Sequence, residues 1–187
     1  MIKIGFIDFQ DSFSFNVVQE LMRVGFEVKV YTYPHHQEAW SYDLVVLGPG
    51  PGHPDEYKDV LPRILDRLEN KKKIFGVCLG HQLIWRALGF PVEKSQIPLH
   101  GQKVKIKLTS FWMNYLKLPE MISVQRYNSL VVQVQESEVP DGITVLFSQG
   151  ELQMSKGSCW LSYQFHPESV GTSFQKSFFL PLTEFDL

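Results

Sequence analysis

The sequence is poor in cysteine. Cys78 and Cys159 are its only two thiols in 187 residues, too few for a disulfide framework or a cysteine-based structural zinc site, so cysteine chemistry here is expected to be catalytic. Long apolar runs are missing as well, and none approaches the roughly 18 residues of a membrane span. Met1-Ile2-Lys3-Ile4-Gly5 enters an apolar run without the basic region or cleavage site of a secretory signal. Neither sign of charge dominates. Eighteen Lys and Arg stand against 20 Asp and Glu, which leaves no global attraction for a phosphate backbone or an anionic membrane. Repeats and low-complexity segments are absent. These absences predict a cytoplasmic protein with no nucleic-acid or membrane partner.

What is present can fill a core. The chain is 44% hydrophobic and 13% aromatic, and against roughly 150 residues per domain, residues 1–187 read as a single domain. Ile2 to Ile7 reads as a strand, Ser14 to Val24 as a helix stopped by Gly25, and Val28 to Tyr33 and Leu44 to Leu47 as strands. Val60 to Leu68 follows as a helix, Ile74 to Val77 as a buried strand and Gly80 to Leu88 as another helix. Short apolar strands alternating with helices predict an α/β fold, a mostly parallel central sheet with helices on both faces. Beyond Gly89, Lys103 to Leu108, Leu130 to Val134 and Thr144 to Phe147 are strand-like. They predict a small antiparallel extension, which returns through an inner strand, Trp160 to Phe165, to a last helix over Thr172 to Leu180.

Three segments carry chemistry. Gly76-Val77-Cys78-Leu79-Gly80 is a cysteine version of the strand-turn-helix nucleophile elbow, in which flanking glycines admit close backbone approach and the helix N-terminus favours thiolate; alone, it also fits a buried structural cysteine. Phe165-His166-Pro167-Glu168 ends an inner strand. Extended backbone there turns His166 and Glu168 to the same side, where the carboxylate can fix the imidazole tautomer. Gly48-Pro49-Gly50-Pro51-Gly52 follows a strand but lacks the N–H donors and the lysine of a phosphate loop. It suits close approach to a small ligand and a single fixed donor, and in isolation equally suits a rigid turn.

These segments occur in order with Asp8 to Asn16, His81-Gln82, His100-Gly101, Arg126 to Val132 and Gln164 to Ser169. The whole series resembles the class I glutamine amidotransferases, and within them the small subunits of anthranilate or aminodeoxychorismate synthases. The resemblance implies a flavodoxin-like fold and a Cys78, His166, Glu168 triad that hydrolyses L-glutamine. It implies an oxyanion hole at Leu79 and Gly50, glutamine contacts at Gly50, Pro51, Gly52, Gln82, Ser129 and Leu130, no cofactor and no metal. The implied partner is a chorismate-binding synthase subunit that takes the ammonia. Rival readings are a glutaminase subunit serving another acceptor and a non-catalytic regulatory subunit that retains the fold. Asn128 and Gly48 depart from the usual His and Ser, so coupling to the partner is the property Asn128 is expected to alter. Asp8 and Asp11 read either as turn and cap residues or as surface facing the partner. His35, His36 and His53 are expected to be solvated polar surface, His81 to organise the elbow helix, and Cys159 and the Trp112, Tyr115, Leu116 stripe to belong to the core.

Overall fold

The structure, a computed structural model, describes residues 2–184. Strand β1 (Ile2–Asp8) leads to helix α1 (Ser14–Arg23), β2 (Phe26–Thr32), β3 (Leu44–Leu47), α2 (Leu61–Glu69), β4 (Lys73–Val77) and α3 (Leu79–Ala87). Then come β5 (Val92–Lys94), β6 (Gln102–Lys107), α4 (Ser110–Leu116), β7 (Met121–Arg126), β8 (Leu130–Val132), β9 (Thr144–Ser148), β10 (Glu151–Lys156), β11 (Trp160–Tyr163) and α5 (Gln175–Phe179). The central sheet has seven strands in the order β2-β1-β3-β4-β11-β10-β9. Its first five are mutually parallel, and β10 and β9 add an antiparallel edge. This is the mostly parallel α/β sheet that the alternation of strand and helix predicts.

Burial on both faces explains the unbroken apolar runs. Phe6, Val46, Phe75 and Tyr163 pack on one side with Leu21 of α1, Trp112 of α4 and Phe178 of α5. Ile7, Val45, Ile74 and Trp160 pack on the other with Ile64 of α2 and Leu83 and Trp85 of α3. A strand with no solvent face has no polar alternation to display. Strand order reverses direction at β1 and β3, so the carboxyl edge of the sheet around this switch point is where an open α/β fold has room for a ligand. The turn after β1, the Gly48 to Gly52 loop after β3, the elbow after β4 and the segment after β11 all emerge at that edge.

Several expectations need correction. β9 and β10 form the expected antiparallel extension, but the strands at Lys103 to Leu108 and Leu130 to Val134 stand apart from it, β6 pairing with β7 and β5 with β8 in separate two-stranded sheets. The partner strands β5 and β7 carry Val-Glu-Lys and Met-Ile-Ser-Val-Gln-Arg, too polar to register as strands on their own. The last helix starts later than Thr172, because the Thr172 hydroxyl donates to the His166 carbonyl at 2.7 Å and Ser173 ties to Ser123. His36 is not solvated. It is 4% exposed, stacked on Tyr33, accepting from the Trp40 indole at 2.8 Å and paired with Asp59 at 2.9 Å. His53 is half-buried and accepts the Asp55 N–H at the start of a 3-10 turn. Tyr33 and Trp40, near His36 in sequence, enclose it with Asp59 from the next segment, and His53 Nε2 meets the Val92 carbonyl at 2.8 Å. Cys159, Trp112 and Leu116 are core residues as expected. Among the described residues no helix is long and apolar enough to cross a membrane.

At the elbow, backbone packs directly against backbone. A Cβ on Gly76 would sit 2.6 Å from the Gly80 carbonyl, and one on Gly80 would fall on the carbonyl oxygen of Leu47 in β3. Ala at position 80 gains about 1 kcal/mol of helix propensity, but its methyl meets backbone that cannot swing aside, an overpacking cost of about 3 kcal/mol or more. Gly80→Ala is therefore expected to destabilise the fold by about 2 kcal/mol or more, read as a lower denaturant midpoint; an unchanged midpoint would show that α3 can lift off β3.

Candidate active site

Cys78 sits where β4 turns into α3, with φ 53 and ψ −101, a left-handed conformation that costs a non-glycine residue about 1–3 kcal/mol. Its surroundings enforce it. The Cys78 N–H donates to the Tyr163 carbonyl at 2.8 Å and its carbonyl accepts from Gln82 N–H at 3.1 Å, which fixes the turn between β11 and the helix. The half-buried thiol stands at the N-cap of α3, where unpaired N–H groups and the helix dipole stabilise negative charge.

His166 follows β11, the strand next to β4. Its N–H donates to the Gln125 carbonyl at 2.9 Å and the Thr172 hydroxyl holds its carbonyl, so the backbone is clamped from two elements. The ring is 2% exposed and lies edge-on to Phe13 and Tyr127, with centroids 5.2 and 5.0 Å away. Its Nδ1 meets Glu168 Oε1 at 2.6 Å. Burial pulls the imidazole pKa down, but the Glu168 charge and the neighbouring Cys78 sulfur outweigh it and hold His166 well above the usual histidine value. The ring thus has a carboxylate on one side and the sulfur on the other, and both favour its charged form.

Seven of the residues expected to form the triad, oxyanion hole or glutamine contacts line one pocket of about 220 Å³: Gly50, Pro51, Gly52, Cys78, Gln82, Ser129 and Leu130. Leu79 lies beside it, and a Cβ on Gly50 would press into the Leu79 side chain, so the loop after β3 abuts the first turn of α3. His166 and Glu168 stand behind Cys78 and do not line the cavity. Two cavities of about 380 Å³ lie elsewhere, both involving the amino-terminal approach to β4. In the first, the buried Arg67 guanidinium already donates to the carbonyls of Trp40, Asp43 and Lys73. Larger size there goes with no nucleophile at a strand's carboxyl end.

The family comparison agrees with this geometry. A model of the family "Glutamine amidotransferase class-I" matches residues 5–181. The chain belongs to this family. It is similar to anthranilate synthase component 2 of Vibrio parahaemolyticus, 34% identical over 186 residues that cover 93% of this chain and 91% of that protein. Component 2 of Helicobacter pylori is also 34% identical, over 182 residues and 91% of each chain. Among solved structures, a glutamine amidotransferase of Thermotoga maritima has the same fold at a TM-score of 0.72 and 20% identity, covering 89% of this chain and 76% of that one.

The pocket has walls beyond the residues expected to contact glutamine. Tyr127, Asn128 and Asp11 also line it. Asp11 accepts the Phe13 N–H at 2.8 Å and Asp8 accepts from Gln10 N–H and the Ser14 hydroxyl, so both are turn residues, and Asp11 has a second face on the cavity. Asn128 accepts from Arg126 Nε at 3.1 Å and donates to the Leu130 carbonyl at 3.0 Å. Arg126 in turn pairs with Glu151, which accepts from Ser95. His81 is wholly buried, its Nδ1 2.8 Å from the Ser162 hydroxyl, with burial pulling its pKa down to about 3. It is a neutral cross-link between α3 and β11. Replacing Glu168 by Gln removes the largest influence holding the His166 pKa up while the burial remains. NMR titration of the His166 ring protons should therefore show a midpoint at lower pH in Glu168→Gln; an unmoved midpoint would mean that another group sets it.

Proposed function

We propose that the chain, acting as one domain, hydrolyses L-glutamine and supplies the ammonia to a chorismate-using synthase subunit. The observation that carries this reading is the convergence of Cys78, the His166–Glu168 pair and the pocket residues at one edge of the sheet, in a chain of this family. Cys78 Sγ attacks the carboxamide carbon. The tetrahedral oxyanion lies toward the N–H groups of Leu79 and Gly50, the former at the start of α3 where the donors have no intrahelical partner. His166, held protonated by Glu168, gives a proton to the departing nitrogen as the C–N bond breaks, and ammonia leaves a γ-glutamyl thioester. The now neutral imidazole takes a proton from water as it attacks the thioester, which releases glutamate and returns the sulfur as thiolate beside a protonated His166.

The pocket walls match the two ends of an amino acid. Both amide protons of Gln82 are engaged, by the Leu130 carbonyl at 3.0 Å and Gln164 Oε1 at 3.1 Å, so Gln82 offers the ligand its oxygen, an acceptor for the α-ammonium group. The Asp11 carboxylate adds charge of the right sign, and the Ser129 to Leu130 backbone can meet the α-carboxylate. The acceptor half rests on relatives named as anthranilate synthase components, one of them pyocyanine-specific from Pseudomonas aeruginosa at 33% identity over 182 residues. Anthranilate synthesis and 4-amino-4-deoxychorismate synthesis both fit, and the cytoplasm suits either.

Cys78→Ser is the deciding variant. In the complex with the synthase it should lower glutamine-dependent synthesis by about 10³-fold or more, while synthesis from added ammonium salt stays intact. Retained glutamine use would remove Cys78 as nucleophile and favour a regulatory subunit; loss of both activities in a folded, associated mutant would remove the division of labour. Asn128→Ala frees the Leu130 carbonyl of one donor without touching Cys78, so KM for glutamine is expected to rise several-fold with a smaller change in kcat. A fall confined to kcat would place Asn128 in the chemistry instead.

A further inference from the structure

We infer that Gln164 is a second hydrogen-bond donor to the Cys78 sulfur, oriented for that task by a chain of amides that starts at the Leu130 carbonyl. The inference rests on the reading of Cys78 as nucleophile. Gln164 is completely buried just beyond β11, and its backbone N–H is fixed by the Gln153 carbonyl at 2.9 Å. Its side-chain Nε2 stands 3.8 Å from Cys78 Sγ, within reach of a sulfur acceptor.

The direction of the amide decides whether it helps or harms a thiolate. A backbone carbonyl can only accept, so Leu130 fixes the nitrogen end of Gln82 toward itself. The second proton on that nitrogen needs an acceptor, and Gln164 Oε1 is the one within range. With its oxygen committed, Gln164 must present N–H to the sulfur. Turning the Gln164 amide over would set donor against donor at Gln82 and an oxygen lone pair against the thiolate. The polarity of the whole chain is thus set by a main-chain group in the pocket wall.

Such a donor stabilises the charged form of the thiol and fixes the direction of its lone pairs. The charged and titratable groups around the sulfur are His166 with Glu168 behind it, and Asp11 and Tyr127 in the pocket wall from the turns after β1 and β7; the α3 N-terminus adds its dipole. Gln164 is neutral, so its effect adds to the imidazolium's rather than duplicating it.

The pH profile of Cys78 alkylation by iodoacetamide tests this on the full chain, with the modified peptide identified by mass and the buried Cys159 as internal reference. Gln164→Met keeps the volume and removes the donor. Its alkylation midpoint should move up by about one pH unit. Gln164→Glu keeps an acceptor for Gln82 but turns an anionic oxygen on the sulfur, and should move the midpoint further. Should either variant fail to fold, Gln82→Met leaves Gln164 in place but unanchored and should shift the midpoint the same way by less. Midpoints equal to wild type in the folded variants would overturn the role of Gln164. That outcome, alongside an inactive Cys78→Ser, leaves the glutaminase reading standing; shifted midpoints alongside an active Cys78→Ser leave the donor standing and remove the nucleophile.

Discussion

Between Gly76 and Gly80 the chain passes from β4 into α3 through a space that admits no Cβ at either end. This contact sets the site. With two glycines in place the helix axis starts pressed against the strand backbones, and Cys78 has no option but the left-handed turn that raises its sulfur above the sheet. The conformational cost is offset by the Cys78 N–H bond to Tyr163, by the β4 and β11 register and by the apolar packing of α3 around Leu83 and Trp85. A looser helix start would let the thiol relax into an ordinary cap position, away from His166.

Around the sulfur, positive charge is arranged in layers of different origin. The helix end acts through its backbone, His166 through an imidazole whose charged form Glu168 favours against the cost of burial, and the pocket side through oriented neutral amides. The imidazolium depends on the fold as much as on the carboxylate, because Gln125, Thr172, Phe13 and Tyr127 remove its freedom to turn. Beyond them the Asn128, Arg126 and Glu151 links stiffen the wall where Leu130 presents its carbonyl. The pocket wall and the Cys78 sulfur therefore share one buried polar network, in which each member is satisfied mainly by another.

The central sheet was legible because its strands are covered on both faces and read as apolar runs, and Cys78, His166 and Glu168 because strand ends and the Gly-x-Cys-x-Gly spacing have a local geometric meaning. Pairing among the later strands was not legible. β5 and β7 look like polar linkers until β8 and β6 lie beside them, and a single chain carries no mark of which strand will be its neighbour. His36 shows the same limit: Tyr33 and Trp40 lie near it in sequence, but nothing there announces that Asp59 will close the enclosure. Gln164 sits in a motif noted from the start, yet its importance comes from Gln82 and Leu130, residues on distant elements, and from which end of an amide is already taken.

The neighbouring placement of β4 and β11 has a consequence for biosynthesis. The cysteine is translated long before the strand that delivers its histidine, so a ribosome-bound chain can complete β1, β3, β4 and α3 and hold Cys78 with no proton partner. Cys78 and His166 come together only once β11 has taken its place between β4 and β10. A chain cut before β11 would keep Cys78 but lack both His166 and Glu168.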